Sequence, residues 1–416
     1  MARGLVVLES GPDPRPAVGL GLGALRSQRP GRFRRPPLRV PTGVRSPPAQ
    51  LRQRPAGRRR QRLCAACRCL DAVSPGDVPA RRPALRLWCR LELPLPRRCP
   101  ALAERLAVTA PVSVGYIGGF GRSGSTLLEL TLGSLRGLCA LGELVHLWER
   151  GLRDNQRCGC GQPFHDCQFW RDIGDRAFGG WSEVDVAEVL ALKAAVDRNR
   201  FVPLLLRTRL PSSRQHAVRR YTDLYVAIYR AAAAMTGATV VLDSSKHVSL
   251  AACLRWNPDV DLRLVHVVRD SPGVAYSWGK QVRRPEISDR VQYMPQYSAP
   301  QVAGTWLAHN SMFEAVAARG TPRLLVRYED FAAGPRATLR RITSYLDLPG
   351  DTVPPGPEHE LPLHRNHTVA GNPLRFTTGN VRVRTDDAWR SALPPSRRRL
   401  VAAVTWPLRR HYGYPA

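Results

Sequence analysis

The sequence predicts an α/β chain: a three-layer α/β/α unit with a mostly parallel central sheet built around a phosphate-binding loop (P-loop), preceded by a disordered basic arm. Three observations predict it. An apolar run, a glycine-rich loop and the opening of a helix follow one another over residues 112–132. Further apolar runs at 239–242, 262–268 and 323–328 each end in polar or charged residues, and helical stretches at 221–234 and 300–318 lie between them. Strands alternating with helices argue for a parallel sheet covered on both faces. The first 110 residues, in contrast, hold 23 Arg, no Lys and only 6 Asp and Glu, with no sustained period of 2 or 3.6. Such sequences rarely bury enough apolar surface to fold.

The arm is dominated by Pro, Arg and Gly, as in Arg52-Gln-Arg-Pro-Ala-Gly-Arg-Arg-Arg-Gln-Arg62. It fits a disordered basic arm, a targeting segment or translation upstream of the true start. The last of these, with initiation near Val108, is the expectation. The boundary therefore falls between an Arg/Pro-rich extension at 1–110 and a folded domain at 111–416. The formal charge of +30 is concentrated in that extension, and only Lys193, Lys246 and Lys280 are lysines. So strong a bias toward Arg is coding pressure more than a polyanion partner. The arm also lacks interleaved aromatics, and no zinc-finger or recognition-helix pattern occurs, so no nucleic acid is expected as a partner. No stretch of 18 apolar residues is present, which predicts no membrane span. The apolar run 5–8 is too short for a signal-peptide core, and a cytoplasmic location is expected. Of ten cysteines, five lie in the arm, and Cys139 and Cys253 read as small apolar residues of buried elements.

Within the domain, residues 112–117 form the first strand and Leu127 onward a helix. Between them Gly119 to Thr126 follows the spacing G-x-x-x-x-G-K-[ST], except that Ser125 stands where a nucleotide triphosphatase carries lysine. Strand, glycine loop and helix is the context that makes the motif meaningful. Loop amides and the helix N-terminus supply positive potential to an anion. The cation has moved to Arg122, inside the loop, which favours a terminal group of low charge over a Mg-bound triphosphate. Asp243 to Lys246 and Arg269 fall just past the next strands, where ligands of parallel sheets gather. Ser277, eight residues beyond Arg269, lies about two turns into a helix and shares its ligand if residues 272–278 are helical. An arginine fork and a hydroxyl suit a second phosphate, although an Arg269–Asp270 surface ion pair explains the same residues.

These residues resemble a known family. Gly121-Arg-Ser-Gly-Ser-Thr126 is similar to the 5′-phosphosulfate loop of sulfotransferases that use 3′-phosphoadenosine 5′-phosphosulfate, and Val268-Arg269 through Ser277 is similar to their 3′-phosphate motif. Leu141-Gly-Glu-Leu144, Leu325-Val-Arg-Tyr-Glu-Asp-Phe331 and the C-terminal Pro407 to Pro415 resemble the tyrosylprotein-sulfotransferase-like branch. The likeness covers about residues 112–416. It implies that Gly121, Arg122, Ser123, Gly124, Ser125 and Thr126 bind the 5′-phosphosulfate of the co-substrate and that Arg269 and Ser277 bind its 3′-phosphate. No metal is required, because a sulfuryl group carries less charge than a phosphoryl group and its loose, in-line transfer needs positioned positive charge.

Glu143 matches the family's catalytic glutamate, and its apolar flanks are expected to raise its pKa toward that of a useful base. A helix-start glutamate is the plain alternative, and His146, His247 and His266 are rival bases, with His266 expected to be a satisfied core residue. Lys246 is assigned to the bridging oxygen. The stretch from His367 to Arg384 resembles a loop closing over the co-substrate, with Arg375 and Arg384 reaching phosphates, while Trp389 is expected to pack. Cys158, Cys160 and Cys167 with His165 make four ligands by count, but C-x-C-x4-H-x-C fits no zinc pattern. A local disulfide or a thiol-bearing substrate loop fits equally, and no metal ligand is assigned. The acceptor is a hydroxyl compound (glycolipid, carbohydrate, natural product or tyrosyl peptide), lined by residues 170–220 and 281–300. The competing function is a P-loop kinase or nucleotide hydrolase with Asp243 as its metal-binding carboxylate.

Overall fold

A computed structural model describes residues 110–285 and 291–415. The expectations for the extension before Ala110 and for residues 286–290 of the acceptor lining lie outside the described residues. Five parallel strands form the central sheet in the order β2-β3-β1-β4-β5: β1 Val112–Gly118, β2 Leu138–Ala140, β3 Val240–Lys246, β4 Val260–Val268 and β5 Arg323–Arg327. The four predicted strands are all present. β2 was not foreseen, and β3 runs four residues past the predicted end at Leu242.

Successive side chains point to opposite faces of a strand, and here both faces are buried. Val114 and Tyr116 of β1, Val241 of β3 and Leu262 and Leu264 of β4 enter one core. Ile117, Val240, Leu242, Val265 and Val267 enter the other. This is why the strands read as continuous apolar runs instead of alternating ones. The first face is covered by Ser212–Thr236, whose Tyr221, Tyr225, Tyr229 and Ile228 are fully buried. The second is covered by Ser125–Gly133, the helix that follows the glycine loop, and by Pro335–Tyr345. The result is the three-layer α/β/α arrangement. Helices Ser271–Gly279, Ala299–Ala318 and Pro395–His411 enclose a third apolar cluster around Trp306 and Tyr412 at the β4–β5 side. A small antiparallel pair, β6 Glu360–Leu363 and β7 Gly379–Arg382, brackets the loop that returns toward β2.

Candidate functional site

The glycine loop leaves β1 at the centre of the sheet. Gly119 adopts φ 122°, and a Cβ there would lie 2.0 Å from the Val267 carbonyl oxygen on β4. Gly124 adopts φ 83° as the N-cap of the following helix, and a Cβ would lie 2.5 Å from the Tyr328 ring. Only glycine fits either place. No side chain caps this helix, and the Ser123 hydroxyl turns back to donate to Phe120 O at 2.7 Å, so the first amides are left for a ligand. Arg122 holds left-handed backbone, φ 71°, which residues with a Cβ seldom adopt. Its guanidinium lies 5.1 Å from the Trp278 ring centroid and donates to Met294 Sδ at 3.2 Å, while its Nε is buried with no hydrogen-bond partner. Burial lowers its pKa, opposed by the charge of Glu143.

Strand register brings the second cation in. Lys246, the last residue of β3, pairs directly with Gly118, the last residue of β1 before the loop. It too is left-handed, φ 63°, and such strain concentrates at functional sites. Its ammonium is bound to Glu143 Oε1. Glu143 leaves β2 with its amide donating to Val369 O at 2.8 Å, and His146 Nε2 lies 3.7 Å from its other oxygen. Burial would push this carboxyl up, but the combined charge of Lys246, His146 and Arg150, with the Lys246 hydrogen bond, brings it down to about 2. The expectation of a raised Glu143 is thereby corrected: apolar neighbours in sequence did not reveal the basic groups around it. The pKa of His146 itself is pushed well down by burial, and its ring meets that of His247 edge-on at 5.5 Å. His266 is the buried core residue anticipated, bonded to Asn310 Oδ1 at 2.9 Å.

Arg269 emerges from β4 as expected but does not pair with Asp270. Asp270 is held by Arg409 at 2.8 Å, both groups buried. Arg269 donates to the carbonyl of Asp386 at 3.0 Å and to its carboxylate at 3.1 Å, with its guanidinium 4.3 Å above the Tyr328 ring. Tyr328 therefore touches both the glycine loop at Gly124 and Arg269. Ser277 lies half-buried on Ser271–Gly279, one residue before Trp278, whose indole donates to Gly121 O at 3.1 Å. That helix and the loop are thus in direct contact.

Arg375 is a correction. The residue is 1% exposed, and its guanidinium donates to Thr368 O at 2.8 Å and Arg157 O at 2.7 Å. In this conformation it ties two chain segments together instead of presenting itself to a phosphate, and Arg384 is exposed. Trp389 packs, as expected. Among the residues missed is Glu129, on the loop helix. It is buried, accepts from Gly142 N at 2.8 Å and Ser244 Oγ at 2.5 Å, and is pushed up to about 7 by burial against those hydrogen bonds and the charge of Lys246. A lone carboxylate inside the apolar stretch 127–132 was the available signal. Asp243 also rises, to about 6, chiefly through burial, with Tyr229 OH donating at 2.6 Å and Ser245 N at 2.8 Å.

The cysteine cluster differs in its fourth member from the one counted in the sequence. Cys158, Cys160 and Cys167 do converge, but with His367, whose Nδ1 lies 3.2 Å from Cys167 Sγ. His165 is not the fourth member, since its Nε2 meets Leu152 O at 2.9 Å. Sequence spacing had no means of finding a partner 200 residues downstream.

The profile of the sulfotransferase family matches residues 116–352, more than half of the chain, without singling out the tyrosylprotein branch. No curated protein matches. Among solved structures, the sulfotransferase domain of an olefin synthase from Synechococcus PCC 7002 is 20% identical, with 74% of this chain and 96% of that one covered and a TM-score of 0.41. The sulfotransferase domain from the curacin biosynthetic pathway is 14% identical, covering 74% and 100%, TM-score 0.39. A sulfotransferase from Alicyclobacillus acidocaldarius is 13% identical, covering 74% and 98%, TM-score 0.34.

Proposed function

The chain belongs to the sulfotransferase family, and we propose that it transfers a sulfuryl group from 3′-phosphoadenosine 5′-phosphosulfate to a hydroxyl of its acceptor. One observation carries this reading. The register of Lys246 on Gly118 sets the Lys246–Glu143 pair at the root of the glycine loop. The donor fits the residues present. Arg122, with its buried unpartnered Nε, and the uncapped amides from Ser123 to Thr126 suit the 5′-phosphosulfate. Arg269 and Ser277 suit the 3′-phosphate, Arg269 sharing its donors with Asp386. The donor supplies a sulfuryl group whose loose transfer requires positive charge at the bridging oxygen, a role that falls to Arg122 and Lys246 and not to a metal.

Glu143 takes the proton of the acceptor hydroxyl. Paired with Lys246 it is a poor base, at about 2. When Lys246 turns to the bridging oxygen, the strongest pull on the carboxyl goes with it, and burial, the largest influence on Glu143, then raises it. Base strength thus rises only once the donor is in place. Met294, against Arg122, and the exposed Tyr293 and Tyr297 support an acceptor site along the segment 291–297. The acceptor classes proposed for it are glycolipid, carbohydrate, natural product and tyrosyl peptide. The kinase alternative is disfavoured by Asp243. Both of its oxygens are occupied, Oδ1 by Ser245 and Oδ2 by Tyr229, in a fully buried position unsuited to a Mg²⁺ ion.

The test is a thermal melt of the full chain with adenosine 3′,5′-bisphosphate against ATP plus Mg²⁺, repeated with Glu143→Gln. A ligand at ~100 times its dissociation constant adds about 2.7 kcal/mol. The expected result is stabilisation by the bisphosphate in both proteins, and sulfuryl transfer to a panel of hydroxyl acceptors lowered about 10²–10⁴-fold in Glu143→Gln. Stabilisation by Mg-ATP alone would overturn the donor assignment, and a fully active Glu143→Gln enzyme would move the base role to His146.

A further inference from the structure

Two segments distant in sequence, 158–167 and the stretch around His367, deliver three thiols and one imidazole to a single point. Cys158 and Cys160 lie on a tight turn closed by Gly161 N donating to Cys158 O at 2.8 Å and Cys158 N donating to Gln162 O at 2.8 Å. Cys167 is the N-cap of the helix Gln168–Phe178. His367 comes from the loop beyond β6. The four ligand atoms lie within 4.8 Å of one another.

The separations discriminate between explanations. A tetrahedral zinc ion with Zn–S bonds of about 2.3 Å and a Zn–N bond of about 2.0–2.1 Å sets sulfur atoms about 3.8 Å apart and sulfur and nitrogen about 3.6 Å apart. Cys160 and Cys167 Sγ are 3.7 Å apart, and Cys167 and Cys158 Sγ are 3.6 Å apart. His367 Nδ1 is 3.8 Å from Cys158 Sγ and 3.2 Å from Cys167 Sγ. A disulfide needs sulfur atoms about 2.05 Å apart, and it would leave one thiol and the imidazole without a purpose. All three cysteines are free, and Cys158 and Cys167 are buried.

The surroundings orient the ligands as the support of a metal site does. Phe169 stacks on the His367 ring at 4.7 Å and 11°, and Trp170 Nε1 donates to His367 O at 2.9 Å. Gly159 N donates to Thr368 O at 3.0 Å, and Arg375 spans Thr368 and Arg157.

We propose that Cys158, Cys160, Cys167 and His367 form a closed, structural zinc site that clasps the cysteine loop to the segment behind Glu143. Each thiol gives up its proton as its Zn–S bond forms, leaving a Cys₃His centre of net charge −1, with Arg365 on the rim of the same cleft. Four protein ligands leave no open position, so the ion is not a catalyst. Its consequence for the reaction is positional. Two residues after His367, Val369 donates to Leu141 O at 2.9 Å and accepts from Glu143 N at 2.8 Å. The ion therefore anchors the strand-like segment that fixes the backbone of Glu143.

The experiment is metal analysis of the full chain purified under reducing conditions without chelator, with X-ray absorption at the zinc edge. One zinc per chain with a first shell of three sulfurs and one nitrogen is expected. The variant His367→Cys should retain zinc with a four-sulfur shell, Cys253→Ala should retain the wild-type shell, and His367→Ala should lose zinc. Should His367→Ala prove insoluble, the wild-type spectrum decides alone. Stoichiometric iron in place of zinc, a Cys158–Cys167 disulfide by peptide mapping, or a reduced chain that stays metal-free after incubation with zinc would each overturn the proposal.

Discussion

Replacing Lys246 by Met removes one member of an ion pair that the structure nearly closes off from water, the two side chains being 12% and 17% exposed. The magnitude follows from Glu143. Its carboxyl falls from the ordinary 4.5 to about 2 in the folded chain, and at about 1.4 kcal/mol per pH unit this is worth about 3 kcal/mol of stability. The sign follows from linkage. A carboxyl depressed in the folded state contributes stability that is fully present above pH 4.5 and is lost as the pH falls toward about 2. Lys246→Met strips out the largest downward influence on Glu143 and leaves its burial, so the folded pKa rises. The variant should lose about 3 kcal/mol at pH 7.5, in line with the cost of breaking one side of a buried pair. The deficit should shrink as the pH is lowered and the stranded carboxyl takes up a proton. Urea denaturation of the wild type, Lys246→Met, Glu143→Gln and the double variant, followed by tryptophan fluorescence, closes a cycle in which the double variant is less unstable than the two single losses together by about 3 kcal/mol. Additivity to within about 0.5 kcal/mol would refute the coupling, and with it the claim that Lys246 holds Glu143 inactive until the donor binds.

Two further outcomes probe the loop and its helix. Gly119→Ala brings a Cβ to 2.0 Å from Val267 O at φ 122°, so the loop must leave β4. Loss of bisphosphate-dependent stabilisation is expected in the melt even where the variant folds, and an unchanged response would mean that the loop does not hold the anion. Glu129, raised to about 7 by burial, contributes stability that is present below about pH 4.5 and is lost as the pH rises through about 7. Glu129→Gln should flatten that part of the stability–pH curve, gaining on the wild type by up to about 3 kcal/mol between pH 5 and 8, and parallel urea midpoints across that range would show that Glu129 is not protonated on folding.

The parts legible in sequence were those encoded locally. Apolar runs of four or more residues, closed by the glycine loop or by polar and charged residues, gave the four main strands of the sheet, because burial on both faces leaves no polar alternation to confuse them. The glycine loop was legible because its backbone geometry restricts residue choice at Gly119 and Gly124. β2 was not legible: Leu138, Cys139 and Ala140 are too few to show a period. What depended on pairing across the fold was also hidden. Arg269 beside Asp270 suggested a neighbour pair, whereas each charge has a partner more than a hundred residues away, Asp386 and Arg409. The cysteines announced themselves, but their histidine sits beyond β6. The direction of the Glu143 pKa depended on Lys246 and His146, which only the β2–β3 pairing and the turn after Glu143 bring to the carboxylate.

The missing lysine of the glycine loop is the thread that joins these observations. A lysine at position 125 would ride on the loop helix and follow the phosphates. Here the cation comes from the neighbouring strand, because Lys246 stands opposite Gly118 in the β1–β3 register. A strand-borne lysine is fixed to the sheet beside Glu143, and on the proposed reading it serves both the base and the ligand. Glu129 stiffens the same arrangement from the helix side. Its two oxygens take the amide of Gly142, one residue before the base, and the hydroxyl of Ser244, two residues before the lysine. The glycine-loop helix and the segments carrying Glu143 and Lys246 are therefore joined through a single buried carboxyl group. In the proposed mechanism, moving the positive charge off the loop turns a site suited to holding a triphosphate into one in which the same lysine either restrains the base or releases it.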